Sequence, residues 1–249
     1  VDTESPQVKL TKPESGPLSG IVDLEKTLDT AEDDDAFTWE YSTNSGESWN
    51  SASLTDSGNW DTTTDFSDTE NTDVDLRLTA EDDVGNTGSD TVEGLEVDNE
   101  APTVDTDELT IEVQNSENEV ANQEEDIYVE WVGSNSEDKD VEKVTADISD
   151  FGADGKLTLD EETREQDNVW SATYNVGTGD VDEVSVDAEV TAEDNAGNSD
   201  TGTTDDISVD NNPPTVTTDL DGNQFFSESS VDVASYFDPS STDGESTTY

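Results

Sequence analysis

These 249 residues predict an all-β fold. Three observations lead there. Apolar side chains recur with period two instead of 3.6, clusters of Gly, Asn, Asp and Ser interrupt them at short intervals, and one motif occurs twice at a fixed offset. In chain order, Phe37, Trp39 and Tyr41 alternate with Thr38 and Glu40, and Val74, Leu76, Leu78 and Ala80 with Asp75, Arg77 and Thr79. Ile127, Val129 and Trp131 alternate with Tyr128 and Glu130, and Trp170, Ala172, Tyr174 and Val176 with Ser171 and Thr173. Val184, Val186, Ala188, Val190 and Ala192 alternate with Ser185, Asp187, Glu189 and Thr191. The separators fall at 43–47, 83–88, 152–155 and 195–202, which fits hairpins in a sandwich. Trp39, Trp131 and Trp170 sit on strands as core residues, and Trp49 and Trp60, beside turns, are expected to cover a thin core.

Charge narrows the partners. Sixty-seven Asp and Glu stand against eight Lys and Arg, with no His, for a formal net charge of −59. Nucleic acid and anionic lipid surfaces repel such a chain, because binding them starts from cations set against phosphates. No Cys means no disulfide, thiolate metal site or thiol nucleophile, and no His means no imidazole base. The longest apolar runs are a few residues, so the sequence offers no apolar helix to span a bilayer. Hydrophobic residues make up 28%, a composition usual for disorder, but they are arranged, and a random acidic tail lacks that order. In molar salt the Debye length is roughly 3 Å, which screens the self-repulsion. The composition resembles the proteome of extremely halophilic archaea, which implies a folded protein with hydrated cations at its surface.

The repeat sets the organisation. Residues 79–86 read TAEDDVGN and 191–198 read TAEDNAGN; Val97, Asp98 and Asn99 match Val209, Asp210 and Asn211, and Pro102-Thr103-Val104 matches Pro214-Thr215-Val216, all at an offset of 112. That spacing means tandem domains. Val1-Asp2 with Ser5-Pro6-Gln7-Val8 reads as a further copy of the junction. The expected division is a preceding tail at 1–5, one sandwich at 6–98, a second at 99–210, and a linker with a partial third domain at 211–249.

A strand ending in TAEDNAGN, a hairpin, a last strand ending in VDN and then a PPTV junction resembles the Ig-like domains strung along bacterial and archaeal surface proteins and adhesins. YSTNSGESWN at 41–50 is similar to a hairpin of such domains, with Ser45 in place of one Gly. Residues 231–249 resemble the start of a cadherin-like domain, so both ends are expected to continue into further chain. The resemblance implies tandem Ig-like β-sandwich domains of a haloarchaeal cell-surface protein, of S-layer or adhesin type. On such sandwiches the last hairpin is expected at the pole facing the neighbour. Asp82, Asp83, Asp98 and Asn99 would then flank the first junction, and Asp194, Asn195, Asp210 and Asn211 the second. Oxygen ligands in clusters of six to eight suit Ca²⁺, and the resemblance to cadherin-like linkers implies Ca²⁺ at these junctions. The alternative is that these side chains only cap turns. A second stretch, Asp150 to Glu161, spaces oxygens as an EF-hand loop does, but Gly152 at its third position and the missing helices favour an Asp154-Gly155 hairpin.

The Gly-x-Ser-x-Gly elbow, the Gly-x-Gly-x-x-Gly fingerprint and the P-loop are all missing, and carboxylate pairs are too numerous to inform. The expectation is a non-enzymatic, extracellular structural module: an S-layer or cell-wall spacer whose partners are neighbouring surface-protein domains or copies. An adhesin, a filament or virus-spike subunit, and an accessory region of a secreted hydrolase are the alternatives. Thr62, Thr63, Thr64 and the Ser/Thr run at 240–248 could accept O-linked glycans, and no Asn here has a Ser or Thr two residues on.

Overall fold

The computed structural model describes residues 3–29, 36–67, 72–114, 120–122, 125–134, 140–162, 168–177 and 185–210, with the backbone of 217–218 and 237–238. Apart from one helical turn, α1 (Thr62–Asp65), and short 3₁₀ turns, the regular elements there are strands. Among the described residues no helix is long and apolar enough to cross a membrane.

The first sandwich is assembled from β1 (Val8–Lys12), β2 (Pro17–Leu18), β3 (Ile21–Val22), β4 (Glu25–Leu28), β5 (Ala36–Ser42), β6 (Asn50–Ser51), β7 (Trp60–Asp61), β8 (Thr72–Glu81) and β9 (Thr87–Val97). One sheet has the order β2-β9-β8-β5-β6, and β1-β4 and β3-β7 form two-stranded pieces. The period-two pattern reads out directly, because alternate residues of a strand face opposite sides. Val74, Leu76, Leu78 and Ala80 of β8 are at most 1% exposed. Val74, Leu76 and Leu78 pack with Leu10, Val22, Trp60, Phe66, Leu95 and Val97, against partly buried Phe37, Trp39 and Tyr41. Trp60 is fully buried, and its indole N–H donates to Asp65 Oδ2 at 2.8 Å, so this turn-side tryptophan is core. Trp49 is half-buried beneath the Arg77 guanidinium, 4.0 Å from its ring.

The second sandwich comprises β10 (Leu109–Val113), β11 (Val120–Ala121), β12 (Asp126–Val132), β13 (Val141–Asp147), β14 (Lys156–Glu161), β15 (Val169–Asn175), β16 (Glu189–Asp194), β17 (Ser199–Thr203) and β18 (Ser208–Val209). Seven strands run in the order β10-β12-β15-β14-β13-β16-β17. The sheet curls until its edges approach: a Cβ at Gly202 on β17 would lie 3.1 Å from the Leu109 side chain on β10 and 2.5 Å from the Val104 carbonyl. Ile127, Val129 and Trp131 are fully buried, and Trp131 lies directly opposite Trp170 across β12 and β15. The long strand expected over 184–192 is shorter. β16 starts at Glu189, Val186 bridges Ile207 separately, and Val184 lies outside the described residues. Conversely, Ser199 to Gly202, read as connector, belong to β17, because an edge strand pairs through its backbone whatever its side chains. The EF-hand-like stretch is a connection and strand. Its second half is β14, which pairs antiparallel with β13, and Phe151 in its first half is 1% exposed, a core plug.

The two copies share a further device. β2 pairs parallel with β9, and β11 parallel with β18. Just beyond each pair the amide of Asp98 donates to the Leu18 carbonyl at 3.0 Å, and that of Asp210 to the Ala121 carbonyl at 2.9 Å. The cores draw on residues 10–97 and 104–209. Residues 211–249, expected to begin a cadherin-like domain, lie outside the described residues except for β19 (Thr217–Thr218), which pairs antiparallel with β20 (Phe237–Asp238).

Candidate metal centre at the interdomain junction

The repeated motif folds into the same turn twice. In the first copy Asp82 Oδ1 accepts the amides of Val84 and Asn86 at 3.0 and 2.8 Å, and Oδ2 accepts Asn86 Nδ2 at 2.7 Å. In the second, Asp194 Oδ1 accepts the amides of Ala196 and Asn198 at 2.8 Å each, and Oδ2 accepts Asn198 Nδ2 at 2.8 Å. The Gly of each motif, Gly85 and Gly197, takes φ of 89° and 88°, where a Cβ would be strained. Asp-x-x-Gly-Asn is therefore a self-satisfied hairpin turn. The Asn86 amide holds the Asp82 carboxyl below the ordinary carboxylate range.

Strand direction then separates residues that the sequence grouped. β8 and β9 are antiparallel, with Glu81 opposite Thr87 at one end and Thr72 opposite Val97 at the other. Asp82 and Asp83 therefore sit at the opposite pole from Asp98 and Asn99, a strand length of about 35 Å away at roughly 3.4 Å per residue. The expected convergence of these four at one junction is corrected. The same reversal puts Asp194 and Asn195 at the pole opposite Asp210, whose backbone closes the far end; Asn211 lies outside the described residues.

What meets at the junction comes from both sandwiches. Asp98, ending the first, lies with Asp194, from the turn of the second, and with Asp140, which leads into β13; one carboxylate oxygen from each falls within 4.8 Å of the others. Asp98 is 1% and Asp194 2% exposed, and Asp140 is half-buried. Burial pushes the Asp98 carboxyl up to about 6; the Glu100 amide, 3.1 Å from Oδ1, opposes the shift, and the charges of Asp194 and Asp140 add to it. Among the described residues the charges acting on Asp98, those of Asp194 and Asp140, are both negative.

Around the triad, amides stitch the sandwiches together. Asn198 Nδ2 donates to the Asp98 carbonyl at 3.0 Å and the Glu100 carbonyl at 3.3 Å, besides its bond to Asp194, and its Oδ1 accepts from the Ser19 hydroxyl. Asn99 ties the first sandwich's own pole: its Oδ1 accepts Ser19 Oγ, the Gly20 amide and Thr62 Oγ1 at 3.0–3.2 Å, and its Nδ2 donates to the Phe66 carbonyl at 2.8 Å. The Gly20 amide occupies one lone pair of that oxygen, and the Ser19 and Thr62 hydroxyls, each with a single proton that also faces Asn198 Oδ1 or the Gly20 carbonyl, share the other. Asn195 has an exposed side chain and contributes its backbone N–H to the Asp140 carbonyl at 3.2 Å. Asp83 is exposed.

The donor set fits a hard divalent cation. All three candidate atoms are carboxylate oxygens, and buried carboxylates that repel one another are the condition under which an ion relieves repulsion. Asp98, Asp140 and Asp194 would hold Ca²⁺, which supplies charge neutralisation. Sequence reasoning placed Asp98 and Asp194 at junctions but missed Asp140, one carboxylate in the run Glu137-Asp138-Lys139-Asp140 with nothing to distinguish it. It also missed Asn198, although the repeated GN flagged that position.

No family model matches this chain, and no curated protein matches it. Among solved structures it is similar to the fibronectin(III)-like modules of Clostridium thermocellum CbhA, with 14% identity over 82% of this chain and 95% of that one and a TM-score of 0.41. It is also similar to a Ca²⁺-stabilised adhesin that helps an Antarctic bacterium reach out and bind ice, with 19% identity, 89% of this chain covered and a TM-score of 0.41; the match spans 53% of that chain. A third is a 1.5-MDa bacterial ice-binding adhesin, described for its retention at the host cell surface, with 16% identity, coverage of 89% and 71%, and a TM-score of 0.33. At such identities and scores the likeness concerns general architecture and carries nothing about activity.

Proposed function

We propose that the chain is a spacer of an extracellular cell-surface protein, built from Ig-like sandwiches at 6–98 and 99–210 and stiffened at their junction by Ca²⁺ on Asp98, Asp140 and Asp194. One observation supports this reading above others: the junction is constructed from both sandwiches, with Asn198 bonded to two carbonyls of the preceding module and three carboxylates gathered beside it. A flexible linker needs neither. The proposal assigns the chain no catalytic step; its work is to hold a distance and a direction. The finer reading, an S-layer or cell-wall lattice component of a halophilic archaeon, rests on the net charge of −59 and on its need for screening.

The test is thermal unfolding in molar KCl, with Ca²⁺ titrated against a chelator. An ion bound only by the folded junction raises the melting temperature by mass action, by about 2.7 kcal/mol of stability at a hundredfold excess over Kd. The rise is expected to saturate and to disappear in Asp98→Asn and Asp140→Asn. A melt indifferent to Ca²⁺ removes the metal from the proposal.

A further inference from the structure

The second sandwich shows what its Asp-x-x-Gly-Asn turn is for: it seats the tail of the module before it, with Asn198 Nδ2 on the carbonyls of Asp98 and Glu100. The first sandwich carries the same turn at residues 82–86, with matching bonds and the same left-handed glycine. Among the described residues its Asn86 amide bonds Asp82 alone. Its Val84 is 64% exposed, a large apolar side chain at the pole, whereas the equivalent Ala196 is half-buried. The incoming chain passes this turn as well. Pro6 is buried and its carbonyl lies against Gly88, where a Cβ would stand 1.8 Å from it, two residues after Asn86. The sequence of that incoming stretch, Val1-Asp2-Thr3-Glu4-Ser5-Pro6, repeats Val97-Asp98-Asn99-Glu100-Ala101-Pro102 at four of six positions.

We infer that the turn at 82–86 is a docking surface for the C-terminal pole of another Ig-like module placed directly upstream, one whose last strand ends in Val-Asp, as this chain's own second sandwich does. Asn86 donates to the backbone carbonyls of that tail, and Val84 is covered by it. The inference rests on reading the chain as a string of such modules, and it extends that string beyond the sandwiches described.

The test joins a second copy of residues 99–208 directly before Val1 of the full chain, so that the added strand continues into Val1-Asp2. The linkage keeps the local concentration of the partner high. Exchange of the Asn86 side-chain amide protons is measured by NMR in molar KCl with chelator, against the same chain without the added copy. Docking is expected to slow exchange by roughly fivefold, the factor that one net hydrogen bond of about 1 kcal/mol provides. Val84→Asp in the fusion should restore the faster rate while leaving the melting temperature of the unfused chain unchanged. Equal rates with and without the added copy, or slow exchange that survives Val84→Asp, would overturn the inference. Because chelator is present throughout, the outcome is independent of whether Ca²⁺ binds at Asp98.

Discussion

Replacing Asn198 by Ala isolates the junction clamp, because the molecule contains its own control. Asn198 and Asn86 occupy the same position in two copies of one turn, and each donates to its own turn aspartate, at 2.8 and 2.7 Å. Both truncations lose that charge-assisted bond, worth about 1.5–3 kcal/mol. Only Asn198→Ala also loses the bonds to the Asp98 and Glu100 carbonyls and one of the two acceptors of the Ser19 hydroxyl, the other being Asn99 Oδ1. One amide has two N–H groups shared among three acceptors, and Ser19 keeps a second acceptor, so the additional interdomain loss is between one and two hydrogen bonds, about 1–2 kcal/mol in total. Among the described residues the non-glycine positions with positive φ are Ser45 and Asn168, so Ala strains neither site. With a denaturant slope of about 1–2 kcal/mol/M, Asn198→Ala should lower the urea midpoint by about 1 M more than Asn86→Ala in KCl with chelator. Equal midpoints for the two variants would show that the amide serves its own turn and contributes nothing across the junction.

Three further outcomes follow from the same geometry. In chelator, the protonated Asp98 is favoured by the fold, so the native state binds more protons than the unfolded one between the ordinary carboxylate value of 3.8 and about 6. Junction stability is therefore expected to be full below pH 4 and to fall as pH rises toward 6, and Asp98→Asn should flatten that slope in pH-dependent melts. Gly88→Ala places a Cβ 1.8 Å from the Pro6 carbonyl, a backbone group that cannot yield without displacing the entering strand; a loss of at least 2 kcal/mol is expected in urea unfolding. Finally, the ion pairs of the described residues are exposed or half-exposed, as in Lys12–Glu25 at 2.9 Å and Lys143–Glu193 at 3.5 Å, and add little. Lowering KCl from 1 M to 0.1 M should thus depress the melting temperature through self-repulsion, read by circular dichroism.

The strands were legible because their cause is local. A residue in an extended chain points opposite to its neighbours, so Val74, Leu76, Leu78 and Ala80 had to share a face whatever the rest of the protein did. The repeated turn was legible for the same reason: Asp82 and Asp194 satisfy amides two and four residues on, without help from elsewhere. Which acids meet was not local. Asp98 and Asp194 stand 96 positions apart, Asp140 is one of many similar carboxylates, and Asn99, an attractive ligand on paper, spends its oxygen on Ser19, Gly20 and Thr62. By itself the sequence determined the strand pattern, the two-fold repetition and the acidic surface. The tertiary structure alone decided that a turn and the tail of its own sandwich lie at opposite poles, because antiparallel pairing carries the chain a full strand length between them, so that junction chemistry joins the tail of one module to the turn of the next.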